Sequence, residues 1–446
     1  MLSSDVLNSV LFFCSINTAI FLLTSYFLFC VYKLPMYHVM SFYQVYYFFG
    51  FVVRPWELYF TGTSQLWEYV GFIPSSGVVL WSAFVIILAH ASMLAGFVLI
   101  NGECTGVPTI RPFSFVPQRP IVFFVIALLF ILLGAYSSTV LFGDASSLED
   151  LLAVNLLTDD SGGSRNIDIS GYQTIFEELI PVTLIVLFAT RRMRAAAIAL
   201  IVAFVIYRLF AGFARAKFVL TLLAIACILL IETRRRYPPA KLLAAGMLLL
   251  ALFNFVGSDR LALRKIRVGE MTFSESFNNY WQDRSYAPIT GDMKEFDTLA
   301  AVLSVVPEMT GYTYGTQYLR LLVWPIPRQL WADKPVNTSI VNLLRYGNFL
   351  SMTITLYADS YMTLGIAGMI VVLFAISMFM NSLYNNTIKR ESPSAILTYF
   401  MVLTYSPYIF RDGPVSAAYF IIVATIGALA LCHGGKLVIA QPPVST

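Results

Sequence analysis

The sequence has few charged residues, and this scarcity excludes most classes of soluble protein. Asp, Glu, Lys and Arg make up 12% of the 446 residues, whereas 58% are hydrophobic. An ordinary soluble domain carries about 25% charged residues, so the composition predicts a polytopic membrane protein. The formal net charge of +4 is too small to indicate a nucleic-acid partner.

Signatures of cofactors and disulfides are missing as well. The chain has no Walker loop and no GxGxxG motif, and its histidines and cysteines do not show the spacing of metal ligands. Four of the five cysteines lie in apolar stretches and Cys104 lies in a short polar loop, so no disulfide framework is indicated. We therefore expect neither a cofactor nor a bound metal.

What the sequence has instead is a series of long apolar runs. A run of roughly 18 to 24 residues can cross a hydrocarbon core of about 30 Å. About eleven such runs occur, at 8–31, 36–53, 77–99, 120–141, 173–190, 195–212, 217–231, 239–257, 357–380, 394–411 and 414–432. The first run lacks a basic leader and a cleavage site, so we count it as a membrane helix. Because backbone groups must be paired in lipid, the prediction is an all-α polytopic membrane protein with no sheet across the membrane.

Lysine and arginine in the short loops predict the orientation of these helices. One set of loops carries most of the positive charge, at Lys33, Arg111, Arg119, 191–194, 234–241, Lys389, Arg390 and Lys436. By the positive-inside rule this side is cytoplasmic. An odd number of helices then places the amino terminus outside and the carboxyl terminus in the cytosol.

Two longer segments are predicted on the outer side. Residues 142–172 are acidic and contain a Ser-Gly turn, which indicates a surface flap. Residues 258–356 form a large outer loop, which we expect to carry short interfacial helices. The chain is thus divided into 1–257 with eight membrane helices, the loop 258–356, and 357–446 with three more helices and a cytoplasmic carboxyl terminus.

Positive charge is unusual in short outer loops, so Arg215, Lys217 and Arg411 require an explanation. Arginine can hold a phosphate or pyrophosphate by two hydrogen bonds, and lysine can do so as a point charge. Alternatively, these side chains extend to lipid phosphates. Asp359, near the outer end of the ninth helix, is either a functional carboxylate or a capping or ion-paired residue.

The segment WPIPRQLWADKP at 324–335 is predicted to be stiff, because its prolines fix φ and restrict the residues before them. Arg328 is therefore expected to be held in place. Trp324 and Trp331 either anchor the segment at the membrane interface or stack on sugar rings.

Four motifs together resemble those of a known family. They are PIPRQLWADKP at 325–335, YADSYMTLGIAG at 357–368, GFARAK at 212–217 and RDGP at 411–414. These motifs, within a many-helix chain, are similar to those of the O-antigen (oligosaccharide repeat-unit) polymerases, a Wzy-like family. The family more often has Glu at the position of Asp359, and the related ligases typically keep an outer histidine that this chain lacks.

The resemblance implies polymerisation at the periplasmic face of a bacterial inner membrane. A growing glycan on undecaprenyl pyrophosphate would be transferred to a new lipid-linked repeat unit, without metal or cofactor. Partners would be these lipid-linked oligosaccharides, membrane lipids and a chain-length regulator. Catalytic roles would belong to Asp359 and Arg328, and substrate binding to Arg215, Lys217, Arg411, Lys334, Trp331 and Tyr357.

Two other functional classes fit part of the pattern. An O-antigen ligase or another lipid-dependent glycosyltransferase would use the same kind of donor. A flippase for lipid-linked oligosaccharides would also bind pyrophosphate with arginines, but we would expect repeated halves and charges within the helix centres. In this chain the charge is instead concentrated in one long outer segment.

Overall fold

The computed structural model describes residues 2–71, 73–102, 106–143, 176–211, 216–248, 271–275, 278, 293–323, 326, 330–331 and 354–440. Most of these residues are helical. The helices are α1 (Ser4–Ser25, continued by a π-helical turn at Tyr26–Val31), α2 (Val39–Tyr47), α3 (Arg54–Thr61), α4 (Gln65–Val70), α5 (Ser76–Asn101), α6 (Pro120–Gly143), α7 (Leu179–Ala189), α8 (Arg194–Ala211), α9 (Ala216–Glu232), α10 (Glu295–Val305), α11 (Thr316–Val323), α12 (Leu356–Arg390) and α13 (Pro393–Gly435). A second π-helical turn at Phe48–Val53 joins α2 to α3.

Five helical segments of the described chain are long and apolar enough to cross a membrane. They are Ser4–Val31, Ser76–Asn101, Pro120–Ser137, Leu356–Arg390 and Pro393–Gly435. The shorter helices α7, α8 and α9 fall on predicted apolar runs, and residues 240–248, at the start of another run, are also helical. The architecture is that of a helical membrane protein.

The second predicted membrane helix is longer than its apolar run, because the helical segment continues beyond residue 53. The predicted apolar run ends at residue 53, but Arg54 begins α3 directly after the π-helical turn. Pro55 occupies the first turn of α3, where a missing N–H is tolerated. The helical segment therefore extends to Thr61 and carries Arg54 into the protein interior.

Helices α5 and α12 pack closely in parallel. The Ser377 hydroxyl donates to the carbonyl oxygen of Met93 at 2.6 Å, and the Asn385 amide donates to Asn101 at 3.3 Å. A Cβ atom at Gly96 would lie 2.7 Å from the carbonyl oxygen of Phe374. The absence of a side chain at Gly96 thus permits the short distance between the helices.

The last two predicted helices meet at Gly413. Its φ of 79° and ψ of 161° interrupt α13, and this positive φ favours glycine. The first half of α13 places Phe400 against Phe113, with ring centroids 5.9 Å apart. The second half ends at Gly435, whose carbonyl oxygen accepts from the Arg119 N–H at 3.0 Å. Since both halves reach the segment 113–119, the chain reverses direction at Gly413.

The basic loops lie at one end of the bundle, which we call the basic end. Arg236 donates to the carbonyl oxygen of Lys33 at 2.6 Å, and Arg111 pairs with Glu391 at 3.2 Å. A small antiparallel sheet of β1 (Ser114–Pro117) and β2 (Leu437–Ala440) lies at the same end. The structure therefore gathers the positive loops as the charge pattern predicts, and this sheet joins loop segments, not membrane spans.

Helix α10, from the predicted large outer loop, is buried among other helices. All of its residues except Ser304 are buried, and it packs against α4, α5, α12 and the second π-helical turn. This differs from the expected interfacial helix, because apolar side chains cover most sides of α10. Helix α11 is closer to the expectation, since Leu319 and Leu322 are exposed while Gln317 is buried.

Candidate functional site

At the end opposite the basic end, the structure brings Asp359 next to the turn that carries Arg411. Asp359 lies in the first turn of α12, where the Thr355 hydroxyl caps the helix by accepting from the Ala358 N–H at 3.4 Å. A Cβ atom at Gly413 would lie 3.5 Å from Cβ of Asp359 and 3.0 Å from the carbonyl oxygen of Ile354. A glycine at 413 therefore allows both the turn and its approach to Asp359.

Arg411 presents its planar guanidinium group to a carboxylate. Its Nε donates to Asp412 Oδ1 at 2.7 Å, and its Nη2 donates to Oδ2 at 3.1 Å. The group also lies over the Tyr408 ring, 5.6 Å from the centroid. A phosphate presents two oxygens to arginine in a similar way, so the guanidinium group of Arg411 has a geometry that suits an anionic ligand.

Lys217 is buried in a cluster of charges, which we call the α7 ion cluster. Its ammonium group contacts Glu177 at 2.6 Å and Glu178 at 2.9 Å, at the start of α7. Arg208 pairs with the same Glu177, and the Tyr405 hydroxyl donates to Glu178. Two cations and two carboxylates therefore balance one another, and the charge of Lys217 is directed into the bundle.

Tyr357 lies inside the bundle. Its hydroxyl is hydrogen-bonded to that of Tyr43, which contacts Nδ1 of His90 at 2.8 Å. The Tyr357 ring stacks on Phe51 with centroids 4.8 Å apart. Although Tyr357 is two residues from Asp359, its side chain belongs to the aromatic interior.

Arg54 fixes the position of α10. Its Nε and Nη2 donate to the two carboxylate oxygens of Asp297 at 3.2 Å and 2.7 Å. Asp297 also accepts from the Ser64 hydroxyl at 2.6 Å, and its carbonyl oxygen accepts from Trp67 Nε1 at 2.9 Å. These contacts hold the start of α10 between α3 and α4.

Glu295, two residues before Asp297, is a carboxylate of a different kind. It is fully buried, and neither carboxylate oxygen has a hydrogen-bond partner among the described residues. Burial raises the pKa of Glu295 from 4.5 to about 8, although the backbone N–H of Glu295 itself and the charge of Arg411 act in the opposite direction. A buried carboxyl group with a raised pKa is a candidate functional group.

Trp331 is the one further predicted site residue that lies within the described part of the chain. Trp331 is 39% exposed. Arg215, Arg328 and Lys334 lie outside the described residues. The structure thus brings Asp359 next to the turn that carries Arg411, and it links Lys217 to α13 through Glu178 and Tyr405.

The sequence reasoning missed several of these groups. Glu177 and Glu178 stand directly before an apolar run, and Arg208 lies near the end of another. An ionisable residue at membrane depth indicates a functional or paired group. The position of these three charges beside apolar runs was therefore a signal that the sequence contained. Glu295 and Asp297 flank Phe296 at the start of a shorter apolar stretch, but no sequence signal showed that Arg54 binds Asp297.

Comparisons with protein-family models, with curated proteins and with solved structures found no match for this chain.

Proposed function

We propose that the protein is a metal-independent glycosyltransferase that polymerises oligosaccharide repeat units linked to undecaprenyl pyrophosphate. The resemblance of four motifs to O-antigen polymerases suggests this activity. The structural observation that supports it is the meeting of two of these motifs, YADSYMTLGIAG and RDGP, at Asp359 and Gly413. A carboxylate and an arginine from separate parts of the chain are thereby available to one substrate.

The orientation in this proposal follows from the two ends of the bundle. The basic end faces the cytosol of a bacterial inner membrane by the positive-inside rule, and the end with Asp359 and Arg411 faces the periplasm. Eleven spans connect the two sides. Lipid-linked substrates reach the site from the membrane, and a chain-length regulator acts beside it.

The reaction needs charge stabilisation more than a strong acid. A hydroxyl of the incoming repeat unit attacks the anomeric carbon of the donor glycan, and the bond from that carbon to the pyrophosphate oxygen breaks. Undecaprenyl pyrophosphate leaves with the bonding electrons, and the hydroxyl proton passes to Asp359. Arg411 stabilises the negative charge that develops on the leaving group. Arg328 and Arg215 supply further donors, while Lys334 and Trp331 shape the binding region.

Complementation of a deletion strain tests the proposal. Loss of a polymerase leaves single repeat units on the surface lipid, whereas loss of a ligase leaves none. Arg411→Ala should give single units, with a loss of about 100-fold to 1000-fold in rate. Arg411→Lys should also fail because lysine lacks the planar fork. Asp359→Asn should reduce polymer length at a normal protein level.

Arg111→Ala is the matched control, because Arg111 forms an exposed ion pair at the basic end. It should give wild-type glycan ladders. Wild-type ladders from Arg411→Lys at normal abundance would refute the arginine clamp at this turn. Purified protein should also polymerise in excess chelator, and a requirement for Mg²⁺ would contradict the metal-independent reaction.

A further inference from the structure

Helix α12 is interrupted shortly after the turn that carries Asp359. Leu364 has a φ of −154° and a ψ of 36°, and Gly365 has a φ of 63° and a ψ of −141°, so the helix breaks at these two residues. The positive φ favours glycine, and a Cβ atom there would lie 2.8 Å from the Tyr312 hydroxyl oxygen. Residues 356–363, which we call the Asp359 segment, are therefore a short helical piece whose position does not follow from the remainder of α12 alone.

Groups from outside the helix bond to the carbonyls that precede the break. A carbonyl group where a helix ends lacks a partner within the helix and must find one elsewhere, above all in a membrane. The Thr313 N–H donates to the carbonyl oxygen of Met362 at 2.8 Å, and the Tyr314 N–H donates to that of Thr363 at 3.0 Å. The Thr313 hydroxyl also donates to the Met362 carbonyl oxygen, at 3.1 Å. The chain before α11 thus holds the end of the Asp359 segment.

Gln317 extends this contact to Asp359 itself. It lies in the first turn of α11 and is buried. Its Nε2 donates to the Thr363 hydroxyl oxygen at 3.0 Å and to the carbonyl oxygen of Asp359 at 3.4 Å. The Thr363 hydroxyl donates to the same carbonyl oxygen at 3.2 Å. Oε1 of Gln317 has no hydrogen-bond partner among the described residues, so these contacts use the donor atom of the amide.

Helix α11 also packs against the other helix of the candidate site. This helix is α13, which carries Arg411. Asp359 therefore has Gln317 on one side, at its carbonyl oxygen, and Gly413 on another, where an added Cβ would lie 3.5 Å from Cβ of Asp359. A helix in contact with both elements can fix the distance between them.

We propose that Gln317 is a positioning residue for Asp359. Its amide connects the Asp359 segment to α11, and this contact fixes the carboxylate where it can take the proton of the incoming hydroxyl. Without the amide, the segment can shift at the break in α12. A misplacement of about 1 Å in a reacting group can lower a rate about 100-fold. The inference rests on the proposed function, because Asp359 is taken to be the base of the polymerisation.

The experiment compares surface-glycan ladders in the complemented deletion strain. Gln317→Leu removes the amide and Thr363→Val removes the hydroxyl, and each should shorten the glycan by slowing polymerisation up to about 100-fold. Thr363→Ser keeps the hydroxyl and should retain wild-type ladders. Gln118→Leu, the same change at an exposed residue of the basic end, is the matched control and should also give wild-type ladders. Membrane abundance and thermal unfolding of the purified full-length variants should match those of wild type.

A double variant separates an effect through Asp359 from an effect on the fold. Asp359→Asn is expected to leave a shortened ladder, so a further loss would be visible. Because Gln317 acts through this carboxylate, adding Gln317→Leu to Asp359→Asn should shorten the glycan no further.

Two results would overturn the positioning role and leave the proposed function intact. One is a further loss in the double variant, and the other is equal ladders from Thr363→Val and Thr363→Ser, a pair that tests the same contact independently of Gln317→Leu. Wild-type ladders from the deletion strain itself would overturn the proposed function, and the positioning role with it.

Discussion

The two ends of the bundle differ in how far their ion pairs are exposed to solvent. At the basic end, Arg111 and Glu391 form an ion pair whose side chains are 78% and 47% exposed. At the other end, Arg54 and Asp297 pair with side chains 4% and 0% exposed. The first pair is surrounded by solvent, whereas the second is enclosed by helices. The same chemical interaction therefore has different consequences at the two ends.

The difference in exposure shows which ion pairs can fix the position of a helix. An exposed pair contributes about 0–1 kcal/mol because water screens it and the side chains lose entropy. A buried pair adds little net stability compared with apolar residues, but the loss of one partner leaves an uncompensated charge in the interior. The basic loops thus set orientation by their number and side, while the buried pairs set the position of individual helices.

The largest effect is expected for Arg54→Ala. This change leaves Asp297 buried without its main partner, so the protein should lose about 3–5 kcal/mol of stability. Thermal unfolding of the purified protein measures the loss. Combining Arg54→Met with Asp297→Leu should restore part of it, because the buried carboxylate of Asp297 is then removed together with its partner. If Arg54→Ala unfolds like wild type, the fixed position of α10 is wrong.

A smaller effect is expected for Gly413→Ala. A Cβ atom would force a positive φ on alanine and would meet the carbonyl oxygen of Ile354 at 3.0 Å. Such backbone strain costs about 1–3 kcal/mol. The turn should shift away from Asp359, so the polymer should become shorter while the protein remains folded. Gly246→Ala is the matched control, since nothing lies within 4 Å of the added atom. Equal glycan ladders from both variants would contradict the role of this turn.

The smallest effect is expected for Arg111→Ala. Its pair with Glu391 is exposed, so stability should change by no more than about 0.5 kcal/mol. Unfolding in low and high salt measures both the pair and its screening. A loss comparable to that of Arg54→Ala would remove the distinction between the two ends.

The sequence predicted those features that depend on local pattern. Apolar runs located the long helices of the described chain, and the RDGP motif marked the break between the last two, because Gly413 and Pro414 interrupt the pattern. Loop charges predicted which loops share one end. These signals lie within a few residues of the feature they describe.

Contacts between distant residues could not be predicted in this way. Arg54 directly follows a predicted apolar run. Its pairing with Asp297 was not visible in the sequence, because the two residues are 243 positions apart. Lys217 was predicted to bind phosphate because it stands in a short outer loop. Its pairing with Glu177 was not visible in the sequence, because the two residues are 40 positions apart. In both cases an isolated charge was visible in the sequence, but the partner was identified only by the packing of helices.

The burial of α10 has a consequence for how the chain is assembled during synthesis. Helix α10 packs against α4 and α5 and binds Arg54 of α3, and all three of these helices are synthesised long before it. It also packs against α12, which is synthesised after it. Arg54 must therefore wait for most of the chain to be made before Asp297 arrives. A truncated product that ends before residue 295 retains Arg54 and Glu57 but lacks Asp297, so this buried ion pair exists only in the longer chain.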